Sequence, residues 1–108
     1  MEFLNDFIKF SVKNKDKFAL IEFELIKEIE PSDLGNLNPP DPVKEGFSSK
    51  VIILSGRGPI WLYGCLIHFY HPTKAIAIYD PRLNGAVIIK THSKDFKIGQ
   101  LIKKEEFL

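Results

Sequence analysis

Two uninterrupted apolar runs, Val51-Ile52-Ile53-Leu54 and Ala75-Ile76-Ala77-Ile78-Tyr79, bracket a segment of helical spacing, and no other feature narrows the fold as far. A strand without polar alternation is covered on both faces, as in parallel sheets wrapped by helices. Between the runs, Trp61, Leu62, Cys65, Leu66 and Phe69 recur at helix-like spacing within Ile60 to His71. Pro59 suits the first helical position, where its missing N–H would be unpaired anyway, and Pro72 ends the helix. Gly64 weakens the segment without forbidding it. The natural topology is a strand–helix–strand crossover joining parallel strands, with Val51–Leu54 central in the sheet.

Period-two alternation marks the N-terminal part. Ile8, Phe10 and Val12 alternate with Lys9 and Ser11, and Ala19, Ile21, Phe23 and Leu25 alternate with Leu20, Glu22 and Glu24. Around the polar turn Asn14-Lys15-Asp16-Lys17 these make a hairpin of half-buried strands. From Pro31 to Lys50, Pro31, Pro39, Pro40, Pro42, Gly35 and Gly46 break helix and strand alike, leaving a connection with at most one helical turn near Ser32-Asp33-Leu34. Asn84-Gly85 signals a tight turn, Ala86-Val87-Ile88-Ile89 an antiparallel return, and Gln100-Leu101-Ile102-Lys103 a last short strand. The expected fold class is α/β: a small mixed sheet with an N-terminal hairpin and a Rossmann-like crossover, in a single domain spanning residues 1–108.

Charge and cysteine content bound the function. The formal charge is only +1, which argues against a surface that coats nucleic acid and makes any polyanion site local. Cys65, the sole cysteine and expected in the core, excludes an intrachain disulfide and a cysteine-rich zinc site. The acidic start Met1-Glu2-Phe3-Leu4-Asn5-Asp6 lacks the basic flank of a signal peptide, and no stretch is apolar enough for a bilayer. A cytoplasmic protein without membrane contact is the expectation.

The chemistry gathers around the crossover. Gly56-Arg57-Gly58, between a buried strand and a helix start, suits an anion: backbone N–H groups are free there and Arg57 adds a charged fork. The plainer alternative is an ordinary strand-to-helix turn. His68 and His71 project from one helix face, close enough to share a metal or a scissile phosphate, although such pairs are often structural. Asp80 and Arg82 straddle Pro81 beyond a strand end, where a carboxylate can hold a divalent ion and a guanidinium can neutralise phosphoryl charge; an Asp-Pro turn with an exposed ion pair is the bland reading. His92 is a secondary binding candidate at the opposite end of the sheet. Tyr63 and Trp61 could stack bases, Trp61 being the better core residue.

The ordered set Gly56-Arg57-Gly58-Pro59-Ile60-Trp61-Leu62, His68, Tyr70-His71, Thr73, Tyr79-Asp80-Pro81-Arg82-Leu83, Gly85-Ala86-Val87 and His92-Ser93 resembles the third CRISPR ring-nuclease family, small accessory proteins of type III systems. The resemblance covers Val51 to Ser93. It implies a distant relative of the CRISPR-associated Rossmann fold that forms dimers, which stack into tetramers around cyclic tetra-adenylate. It further implies Mn²⁺-dependent cleavage of that ring, with removal of adenosines from short RNA 3′ ends as an alternative, or binding without catalysis. Carried over by motif, His71, Asp80 and Arg82 are catalytic, while His68 and the loop Gly56, Arg57 and Gly58 match binding or support positions; Tyr63 and His92 join the expected ligand-binding residues on their own chemistry, and Asp80, His68 and His71 are the expected metal ligands. Pro72 stands where the family commonly has a second histidine, and Asn84 lengthens the turn after Leu83.

Overall fold

The structure, a computed structural model, describes residues 1–108. Seven strands form one sheet whose spatial order repeats the chain order. They are β1 (Glu2–Leu4), β2 (Ile8–Asn14), β3 (Phe18–Leu25), β4 (Val51–Gly56), β5 (Ala75–Asp80), β6 (Gly85–Thr91) and β7 (Leu101–Lys103). One helix, α1 (Ile60–Phe69), joins β4 to β5, and short 3-10 turns occupy Pro31–Asn36, Pro81–Leu83 and Lys104–Glu106.

Strands β3, β4 and β5 run parallel and every other neighbouring pair is antiparallel, so the expected mixed α/β sheet, hairpin and crossover are all present. β4 sits centrally, and Val51–Leu54 are each no more than 1% exposed, which is why that run shows no polar alternation. A parallel pair needs a crossover. Residues 26–50 supply one between β3 and β4, and α1 supplies the next. Both cover the same face: Ile29, Leu37 and Phe47 from the first, with Leu62, Leu66 and Tyr70 from the second, share one core with Ile21, Phe23, Ile52, Leu54 and Ile76. The buried Tyr70 hydroxyl donates to the Pro40 carbonyl at 2.8 Å and ties the two crossovers together, burial pushing its pKa up. On the far face, Phe18, Leu20, Val51, Ile53, Ala77 and Ile88 pack under Ile102 and Phe107.

Four departures from the sequence reading carry physical reasons. Pro59 is the residue before α1, with an extended ψ of 154°, so the helix begins one position later than expected. The helix meets the sheet through Leu62, Leu66 and then Tyr70, spaced by four; Trp61, expected in the core, falls to the side with 37% exposure, and Cys65 is only half-buried. β1 was unforeseen, because three residues with one inward side chain, Phe3 opposite Phe10, are too few to display alternation. Finally, the strand order never reverses, so the sheet lacks the switch-point crevice in which open α/β sheets gather ligands.

One irregularity bears on the site. Along the β5–β6 pair, Ile76 faces Lys90 while Ala77 faces Ile88, leaving Ile89 as the extra residue of a β-bulge. Alternation from Ala86 and Ile88, both on the far face, would send Lys90 there too. The bulge turns Lys90 onto the helix face, opposite Ile76.

Candidate functional site

Because α1 returns antiparallel to the strands it joins, its start lies at the C-terminal ends of β4 and β5 and its end lies at the start of β5. Asp80 closes β5, whereas His71 precedes it. The intervening strand, Ala75–Asp80, is roughly 17 Å long at about 3.3 Å per residue. The candidate residues therefore form two groups, one at each end.

At the C-terminal ends, Leu54 pairs with Ile78, so Gly56 and Asp80 stand level on neighbouring strands. The Arg82 backbone N–H and Nε donate to Asp80 Oδ1 at 3.0 and 3.2 Å, and Nη2 donates to Oδ2 at 3.0 Å. These bonds hold the Asp80 carboxyl below its usual range and the Arg82 guanidinium above its own. The carboxylate is thus ionised and poorly basic, and it aims a guanidinium whose remaining N–H groups face solvent. Asn84 follows in the left-handed region, φ 52°, and accommodates the lengthened turn.

The glycine loop beside them is tightly packed. A Cβ at Gly56 would meet the Phe23 carbonyl at 2.5 Å and its ring at 2.7 Å, and one at Gly58 would meet Leu62 at 2.8 Å. Gly56 is thus required by close approach of chain to chain, whereas the neighbour of Gly58 is only the tip of a side chain. Tyr63, expected to stack a base, donates its hydroxyl to the Gly56 carbonyl at 2.6 Å and packs edge-on against Phe23, with burial raising its pKa. It supports the loop. Arg57 is exposed and takes part in none of the chain's ion pairs.

At the other end, the His71 and His92 rings meet edge-to-face, their centroids 5.4 Å apart. Lys90 Nζ donates to the His71 carbonyl at 2.9 Å and lies 2.6 Å from His92 Nε2, which itself is 3.1 Å from the same carbonyl. His68, one turn earlier, is exposed, and its carbonyl accepts from the His71 N–H at 3.2 Å. Lys90 above all, then slight desolvation, His92 and His68, lowers the His71 pKa, so this imidazole stays neutral and able to accept a proton near neutral pH. None of the four ion pairs involves Lys90, and no carboxylate answers this cluster. Such a set of donors suits an anion.

A profile described as CRISPR-associated protein (Cas_csx3) matches residues 22–103, three quarters of the chain and every candidate residue named above. The chain belongs to the Cas_csx3 family of CRISPR-associated proteins. A relative from Aquifex aeolicus (strain VF5), carrying the description uncharacterized protein, is 55% identical over 102 residues, covering 94% of this chain and 92% of its own length.

Within this Cas_csx3 chain, the structure joins Asp80 with Arg82 and His71 with His92, but it does not bring His71 to Asp80 and Arg82. The expected metal set of Asp80, His68 and His71 is likewise divided. No group of three His, Cys, Asp or Glu side chains stands close enough to hold a metal ion, and both Asp80 oxygens already serve Arg82. The donor set of one chain does not fit Mn²⁺. Sequence reasoning also missed Lys90, whose signal was its position two residues before His92. No helix is long and apolar enough to cross a membrane.

Proposed function

We propose that this Cas_csx3 chain is a ring nuclease, a phosphodiesterase that opens cyclic tetra-adenylate. The observation that carries this reading is the division of complementary groups between opposite ends of β5. A proton acceptor beside a cation, His71 with Lys90 and the ring of His92 against it, stands at one end, and a charge-stabilising fork, Arg82 aimed by Asp80, stands at the other. A reaction using both groups takes them from two copies of the chain, and a ring of repeated units offers matching faces to symmetric partners. Homodimers that assemble into a tetramer around the ring satisfy that requirement.

The neutral His71 imidazole accepts the proton of the ribose 2′-hydroxyl as that oxygen attacks the adjoining phosphorus and the P–O5′ bond breaks. The proton then leaves on the released 5′-oxygen, and the product ends in a 2′,3′-cyclic phosphate. Arg82 of the facing copy offsets charge on the non-bridging oxygens. Within one chain the donors do not fit Mn²⁺, and these steps are carried by the chain's own residues.

Chromatography of cyclic tetra-adenylate after incubation with the protein tests the proposal, with an adenosine-tailed RNA strand run in parallel. Linear products ending in the cyclic phosphate are expected from the ring. Shortening of the tailed strand with an intact ring would make the protein a 3′-exonuclease, and tight ring binding without product would make it a sensor; either outcome overturns the reading.

A further inference from the structure

We infer that Lys90 is a positioning residue of the proposed reaction, holding the His71 main chain and fixing the ring of His92 beside it; the inference rests on the ring-nuclease reading. Two observations support it independently. The first is local geometry: one ammonium lies within hydrogen-bond reach of the His71 carbonyl, at 2.9 Å, and of His92 Nε2, at 2.6 Å. The second is the bulge at Ile89, without which strand alternation would carry Lys90 to the far face of the sheet. Bulges re-aim side chains at functional sites, and here the re-aimed side chain is the one that gathers two imidazoles.

The hydrogen bookkeeping of this knot is constrained. The His71 carbonyl only accepts, and an ammonium only donates. Nε2 of His92 accepts from Lys90 only when it carries no proton, which places the single ring proton on Nδ1. Lys90 therefore chooses the tautomer of His92 and, by holding the carbonyl of His71 just past the end of α1, fixes where the chain bearing the proposed base leaves the helix. An ordinary helix cap would do the second of these and not the first.

The test compares Lys90→Met, which keeps the stem and removes the donors, with the unchanged protein. The ¹⁵N spectrum of the imidazoles at about pH 8 reports the tautomer. In the variant, His92 is expected to move to the Nε2–H form and to donate directly to the His71 carbonyl 3.1 Å away. Turnover of the ring is expected to show kcat reduced about fivefold or more with KM changed less than that, the mark of a misplaced base rather than a lost binding group. An unchanged tautomer, or kcat within about fivefold of the unchanged protein, overturns the role of Lys90. An unchanged protein that opens no ring overturns the functional reading instead, so the two failures are told apart by the parent protein alone.

Discussion

The two ends of β5 treat charge in opposite ways. At the C-terminal end, Asp80 and Arg82 neutralise each other, Gly56 packs without space for a side chain, and the Tyr63 hydroxyl closes on the loop. At the other end, Lys90 and three histidines, His68, His71 and His92, gather with only neutral acceptors and no carboxylate. The Asp80–Arg82 pair presents one fixed fork with exposed Arg57 unpaired beside it, whereas the other end leaves its donors with no carboxylate at all. The difference teaches that neither end resembles a finished active site: one has a stabiliser without a base, the other a base without a stabiliser.

The strongest way to break that comparison is to remove one group from each end. His71→Ala should lower ring cleavage by about 10²- to 10⁴-fold while keeping most ring binding, since proton transfer supplies rate and affinity is spread over phosphates and bases. Arg82→Ala should fall similarly, and an equal mixture of the two variants should recover about a quarter of the normal activity, because a site built from two copies is whole when each chain supplies its intact end. A mixture as inactive as its components would return the site to a single chain. Steady-state turnover across mixing ratios reads the result.

A smaller effect separates the partners within the C-terminal end. Asp80→Asn should cost about tenfold or less in kcat, because the residue aims Arg82 rather than meeting the reacting atoms, and an amide oxygen can still accept from the guanidinium. A loss as large as that of Arg82→Ala would give Asp80 a direct part in the chemistry. Ligand-driven assembly sharpens the same contrast: cyclic tetra-adenylate should raise the mass measured by light scattering, and activity per chain should fall on dilution. A ligand-bound monomer of undiminished activity would remove the need for two ends to meet.

The smallest effect concerns pH. Lys90 holds His71 below the ordinary imidazole range of about 6.5, so the folded protein resists protonation there more than the unfolded chain does. This contribution to stability is present above that range and is lost as pH falls through it. Lys90→Met should raise the His71 midpoint in an NMR titration; a midpoint that stays or drops would show that another group depresses it.

How much of this was legible in the sequence depends on where each feature draws its signal. The crossover was readable because two-sided burial wrote uninterrupted apolar runs at β4 and β5, and the hairpin because one-sided burial wrote alternation at β2 and β3. The pairing of Asp80 with Arg82 was readable because it is local. The parting of His71 from Asp80 was concealed by nearness in sequence: the residues between them form a strand, which separates its two ends as far as a chain can. Lys90 was hidden because no glycine or proline marks the bulge at Ile89, and only the pairing with β5 reveals it. Tyr63 carried an aromatic's binding signal, yet Phe23 and Gly56 had already claimed both its ring and its hydroxyl.

The agreement between strand order and chain order has a consequence for biogenesis. No strand has to be inserted between two that are already paired, so the sheet can grow by addition at one margin as the polypeptide leaves the ribosome. Each new strand finds its predecessor waiting, and the loop to be closed at each step is never longer than the crossover just made. In a chain assembled this way β1 stays one margin of the sheet and the newest strand forms the other, the place that β7 holds among these seven.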